Sequence, residues 1–176
     1  VGCGAIKEVR LSPDQQKAMD YFTAALSVGD ANAHMASVRH LYIIGEPGSG
    51  KTEVFVQYCN YAIVNNLRVL ILCPTGQLVH AYRQRLPEHD CIRVETMHAG
   101  LRMYRQDKSL VQHAPPMMLR KYDAILVDEC SMYDNAVARK FIYAFSELPQ
   151  DPFLAMAADF KQLQPITKGS VMENFC

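Results

Sequence analysis

Four short apolar runs punctuate the chain: LYII at 41–44, VLILC at 69–73, AILV at 124–127 and FLAMAA at 153–158. None alternates apolar with polar positions, so each predicts a strand covered on both faces. A weaker strand is expected at CIRVE, 91–95. Between these runs the apolar positions switch to helical spacing. Val54, Phe55, Tyr58 and Ala62 form one stripe, Leu78, Val79, Tyr82 and Leu86 a second, and Val137, Phe141, Ile142 and Phe145 a third. An earlier helix is expected in LSPDQQKAMDYFTAALSVGD. There Ser12 suits the N-cap, Pro13 the first helical position, and Gln15 completes a capping box. Ala18, Tyr21, Phe22, Ala25 and Leu26 carry its apolar face, and Gly29 ends the pattern. Strands alternating with helices predict an α/β fold with a doubly wound, mainly parallel sheet in three α/β/α layers. Segment 101–121 is polar, basic and broken by Pro115 and Pro116; it is expected to be an irregular connection with one short helix.

The 176 residues suffice for one ordinary domain, with no repeats and no low-complexity tracts. The 18 basic residues balance the 18 acidic ones. That neutrality argues against holding nucleic acid by bulk charge, while leaving room for a local basic groove. The six cysteines, Cys3, Cys59, Cys73, Cys91, Cys130 and Cys176, lack the spacing of a zinc ribbon or thioredoxin motif. They read as reduced thiols of an intracellular protein. The six histidines have no ligand spacing either, so no structural metal site is expected. No apolar run approaches the ~20 residues that span a bilayer, and no membrane partner is expected. The N-terminus VGCGAIKEVR lacks the apolar core of a signal peptide and begins with valine, so the numbering is expected to start inside a longer protein.

One stretch carries the chemistry. GEPGSGKT, comprising Gly45, Glu46, Pro47, Gly48, Ser49, Gly50, Lys51 and Thr52, fits G-x-x-x-x-G-K-[ST] between an expected strand and an expected helix. Chance supplies this pattern in under ~1% of chains of this length, given ordinary glycine usage. Glycine lets successive N–H groups turn inward as an anion nest, and the following helix adds its unpaired donors. Lys51 is expected to reach the β- and γ-phosphates of ATP, and the Thr52 hydroxyl to hold Mg²⁺. A second signal is AILVDECSM, which places Asp128 and Glu129 at the carboxyl end of a strand. Open α/β sheets hold ligands there. Asp128 suits metal binding and Glu129 suits proton removal from an attacking water. Paired acids often merely end a strand, and it is the phosphate loop that favours hydrolysis.

With these residues in view, the chain from Leu11 to about Ile166 resembles the first RecA-like domain of superfamily-one helicases, closest to the RecD-like and Pif-type DNA helicases. LSPDQQKA resembles their Q motif, which implies that Gln15 reads adenine; a plain helix cap is the competing role. CPTGQLVHAYR resembles motif Ia and TMHAGL motif Ib, which implies that Thr75, Gly76, Thr96 and His98 follow a single-stranded DNA backbone. VDECSM resembles motif II. AADFKQLQPI resembles motif III, which implies that Gln162 senses the γ-phosphate. Residues 1–10 are then a tail and 11–176 a RecA-like P-loop NTPase domain. Arg83, Arg85, Arg102, Arg105, Lys108, Arg120 and Lys121 offer basic charge near motifs Ia and Ib.

The resemblance further implies ATP-driven 5′-to-3′ movement and roles in DNA repair, recombination or telomere maintenance. It implies a nuclear or mitochondrial location in a eukaryote and a cytoplasmic one otherwise. Three positions depart from the family pattern: Ala158 and Gln164 replace a glycine and a proline, and Gln77 replaces a common lysine. The chain stops soon after motif III, so the second RecA-like domain is expected to be absent here and present in the parent protein. Its arginines would be worth roughly 10³–10⁵ in turnover, so the fragment is expected to hydrolyse ATP weakly. A nucleotide-dependent binding module and a small-molecule kinase also use phosphate loops. Intact Lys51, Thr52, Asp128 and Glu129 argue against a degenerate module of the first kind, though not against a truncated one, and the acid pair with Gln162 argues against the second.

Overall fold

The computed structural model describes residues 9–26, 36–106, 109–112 and 117–159. Helix α1 (Pro13–Leu26) opens with the expected capping box. The Ser12 N–H donates to Gln15 Oε1 at 2.8 Å and the Gln15 N–H to Ser12 Oγ at 3.3 Å. Gly29, the expected stop, lies outside the described residues. Strand β1 (His40–Ile44) then leads through the glycine loop into α2 (Lys51–Val64). Strand β2 (Val69–Cys73), α3 (Gly76–Arg85), β3 (Ile92–Thr96) and the single turn α4 (Met97–Gly100) follow. After them come β4 (Met103–Gln106), β5 (Ser109–Gln112), β6 (Ala124–Val127), α5 (Asn135–Ser146) and β7 (Phe153–Ala158).

Five strands form one sheet in the order β1-β7-β6-β2-β3, and every pairing is parallel. This is the expected RecA-like fold, with β7 inserted between the loop strand β1 and the acid-bearing strand β6. All strands point the same way, so Ile44, Cys73, Thr96, Val127 and Ala158 end at one edge of the sheet.

The continuous apolar runs are explained by the two layers they serve. Successive strand side chains point to opposite faces. Val69, Ile71, Leu126, Ala155 and Ala157 therefore pack with α1, α2 and α3. Leu70, Leu72, Ile125, Leu154 and Met156 pack with Met97, Leu119, Tyr133 and α5 on the other face. Each fully buried Val, Leu or Ile contributes ~1.5–3 kcal/mol. Helix α1 is pinned to α2 by Phe22 stacked on Tyr58, with ring centroids 4.0 Å apart, and by the Tyr58 hydroxyl donating to Ala18 O at 2.8 Å. Truncating Phe22 to alanine would cost ~3–5 kcal/mol.

Segment 101–121 holds the expected short helix, but its described residues are not otherwise irregular. Strands β4 and β5 pair antiparallel as a separate two-stranded ribbon, and a 3₁₀ turn (Met117–Lys121) follows. A four-residue strand is too short for periodicity to betray it. Among the described residues no helix is long and apolar enough to cross a membrane. Cys59, Cys73, Cys91 and Cys130 are buried free thiols, as expected; Cys3 and Cys176 lie outside the described residues.

Candidate nucleotide site

The loop from Gly45 to Gly50 continues the sheet before it turns. The Gly45 N–H donates to Ala158 O at 3.3 Å, extending the β1–β7 ladder by one bond. Glu46, Pro47, Gly48 and Ser49 are exposed, and the Ser49 N–H closes a turn onto Glu46 O at 3.1 Å. Gly48 has φ 75° and Gly50 φ 84°, left-handed angles that L side chains adopt only at a cost. Gly50 is doubly constrained, because a Cβ there would stand 2.3 Å from Gln15 Nε2. That amide instead donates to Gly50 O at 3.1 Å. Gln15 is thus both the expected helix cap and a strut from α1 to the loop.

Helix α2 begins at Lys51, so its free N–H groups and partial positive charge face the loop. Lys51 is only 8% exposed, and its Nζ donates to Gly45 O at 2.7 Å and Glu46 O at 3.0 Å. Thr52, next on the helix, is half-buried.

Opposite stands the end of β6. Asp128 is 1% exposed, and its carboxylate is held at both oxygens. Oδ1 accepts the Glu129 N–H at 2.9 Å and Oδ2 accepts the Tyr82 hydroxyl at 2.5 Å. Burial pushes the Asp128 carboxyl above the ordinary aspartate range. Hydrogen bonds from Tyr82 and Glu129, the charge of Lys51 and hydrogen bonding with Thr52 oppose that rise. Glu129 has φ 46°, a left-handed angle costing ~1–2 kcal/mol in a non-glycine residue, and it caps a 3₁₀ turn (Cys130–Met132). Burial, then the charge of Asp128, raise its pKa, while Lys51 lowers it and Asp159 adds to the rise. A base within this network holds its proton to higher pH than a free glutamate would.

The motif Ia and Ib residues lie further along the same edge, after β2 and β3. Thr75 is exposed and N-caps α3, accepting the Leu78 N–H at 3.3 Å. Gly76, its neighbour, is exposed. Thr96 caps α4 through the Ala99 N–H at 3.2 Å, and His98 is exposed on that turn. Of the basic residues, Arg83 donates to Val94 O at 2.9 Å and Arg85 pairs with Glu53. Gln162 lies outside the described residues.

Two residues beyond the sequence reading enter the site. Asp159, at the end of β7, is 3% exposed and acts on Glu129. Tyr82 was read as part of an apolar stripe and of the CPTGQLVHAYR stretch, with no site role of its own. The one clue available was that a buried phenol needs a hydrogen-bond acceptor.

A glycine loop at a helix start, with a lysine and paired acids across a parallel sheet, defines a RecA-like P-loop NTPase fold. Residues 28–168 match the AAA domain family, and the chain belongs to it. Three structures of a Bacteroides Pif1 share the fold. The unliganded form is 19% identical with a TM-score of 0.50, over 96% of this chain and 36% of that one. The complex with ADP-AlF4 gives 19% and 0.53, over 96% and 36%. The complex with ssDNA gives 19% and 0.52, over 92% and 34%. The chain therefore spans about a third of those proteins. No curated protein matches its sequence.

Proposed function

We propose that the chain is the first motor domain (1A) of an ATP-driven helicase that moves 5′ to 3′ on single-stranded DNA, completed by a second RecA-like domain. The carrying observation is the convergence of Lys51 and Thr52 with Asp128 and Glu129 at one sheet edge, where the lysine's charge acts on both acids. The fold shared with a Pif1 that binds ADP-AlF4 and ssDNA in other structures supports this reading.

In this mechanism the loop amides and Lys51 grip the β- and γ-phosphates of ATP, with Gly45, Glu46, Pro47, Gly48, Ser49 and Gly50 forming the cradle. Glu129 takes a proton from the attacking water, and Gln162 reports the γ-phosphate. Gln15 steadies the loop through Gly50 O, and reading the adenine edge is its proposed second role. The hydroxyl of Thr52 and the carboxylate of Asp128 are hard oxygen donors, the set Mg²⁺ prefers alongside phosphates. Thr52 and Asp128 would hold the ion, whose charge would offset that of the bound phosphates. Thr75, Gly76, Thr96 and His98 face the DNA backbone.

The chain alone should bind Mg-ATP with little DNA-stimulated turnover, since the partner arginines belong to the second domain. ATP hydrolysis with and without single-stranded DNA, for this chain and for the parent protein extending beyond Cys176, tests the motor reading. Strand separation by the 176 residues alone would overturn it. Replacing Lys51 with alanine should weaken ATP binding about 10–100-fold, the loss of a charge-assisted contact. Unchanged affinity would end the nucleotide reading.

A further inference from the structure

We propose that Tyr82 is a positioning residue for the metal-side carboxylate: its phenol fixes Asp128 in the orientation that Mg²⁺ and nucleotide require. The inference rests on the function proposed above and gives a role to a residue of the CPTGQLVHAYR stretch to which the sequence assigned none.

Packing alone does not explain a tyrosine here. Val79 and Tyr82 are the buried residues of α3, and a leucine or phenylalanine would fill the same space. The hydroxyl is surplus to the core, and a buried phenol costs stability unless it is bonded. Two other buried tyrosines solve this with fixed backbone: Tyr58 donates to Ala18 O, and Tyr133 to Leu72 O at 3.2 Å. Tyr82 instead spends its proton on a side chain at the sheet's functional edge, the Asp128 Oδ2.

That choice has a geometric consequence. With the Glu129 N–H on Oδ1 and the Tyr82 O–H on Oδ2, the carboxylate plane cannot turn without breaking a bond. Each oxygen keeps a second lone pair, and these now point in set directions. The Thr52 side chain lies near enough to act on both Tyr82 and Asp128, so the three groups form one cluster. Outer-sphere partners of this kind orient metal ligands in other proteins. Tyr82 also sits on the helix capped by Thr75, so the carboxylate is fixed by the element that begins the proposed DNA path.

The test is Tyr82→Phe, which keeps the ring in the core and removes only the hydroxyl. Binding of ATP is measured in EDTA and across a Mg²⁺ titration, with Mn²⁺ resonance spectra as a direct metal readout. We expect unchanged ATP affinity in EDTA and a Mg²⁺ half-saturation raised about 10–100-fold. The control Tyr133→Phe loses an equally buried phenol bond and should leave the Mg²⁺ dependence alone. In an Asp128→Asn background the Tyr82→Phe effect should vanish, because coupled groups are not additive. Equal Mg²⁺ dependence in Tyr82→Phe and the unsubstituted chain overturns the inference, as does a loss of the same size in EDTA. If the unsubstituted chain binds no ATP at all, the proposed function falls first and takes this inference with it.

Discussion

The carboxyl edge of the sheet has two halves built to different rules. Beyond β1, β7 and β6 the polar groups are sunk: Lys51, Asp128 and Asp159 are each under a tenth exposed. Their geometry is set by other side chains and by backbone at left-handed angles. Beyond β2 and β3 the edge is open. Thr75, Gly76 and His98 are exposed, and the threonine hydroxyls are occupied as helix caps. Buried charge in the first half costs stability; the second half is cheap to build and offers shallow contacts. Tyr82 joins them, rooted in the helix of the open half and bonded in the sunken one.

The largest expected effect breaks the sunken half. Glu129→Gln should lower ATP turnover ~10²–10⁴-fold by removing the proposed general base, while ATP affinity stays close to that of the unsubstituted chain. The same variant has a second signature. Burial and Asp128 raise the pKa of Glu129 in the fold, so the unfolded chain holds fewer protons there than the folded one. Stability then falls as pH rises from the unfolded value through the raised folded one. Below that window both forms are protonated and Glu129→Gln should match the parent. Above it the variant should melt at higher temperature. A melting difference independent of pH would mean that the charge is not strained as described.

Next in size is the loop. Gly48 and Gly50 both hold left-handed angles, so alanine at either should cost ~1–2 kcal/mol. Only at Gly50 does the added carbon also strike the Gln15 amide. Gly50→Ala should therefore destabilise more than Gly48→Ala, with ~2–4 °C of melting temperature for each kcal/mol. Adding Gln15→Ala should erase the difference between the two. If the gap persists without the glutamine, the strut is not what sets Gly50 apart.

The contrast between the halves also explains what could be read from sequence. The loop and the acid pair were legible because phosphate and water chemistry restrict residue types at fixed spacing. The strands 69–73, 124–127 and 153–158 were legible because burial on both faces demands unbroken apolar runs. The β4–β5 ribbon was not, since four-residue strands carry too few positions for a period to register. Tyr82 was hidden for a different reason. Helical spacing reports which face is buried, and a phenol and a phenyl ring look alike to that signal. Which acceptor lies above the hydroxyl is decided by a strand 46 positions away.

The smallest expected effect lies in the open half, where a cap and a DNA contact must be separated at one residue. Thr75→Ala should cost ~0.5–2 kcal/mol through the lost cap on α3. Any fall in DNA affinity in that variant is ambiguous, because the helix start itself has loosened. Thr75→Asp resolves it. Aspartate is as good an N-cap as threonine and its charge suits the positive end of a helix, so stability should hold. The same charge would repel a phosphate backbone lying against the helix start. Single-stranded DNA binding should then weaken by a larger factor in Thr75→Asp than in Thr75→Ala, with the order of melting temperatures reversed. Binding in Thr75→Asp equal to that of the parent would remove Thr75 from the DNA path and leave it a structural cap.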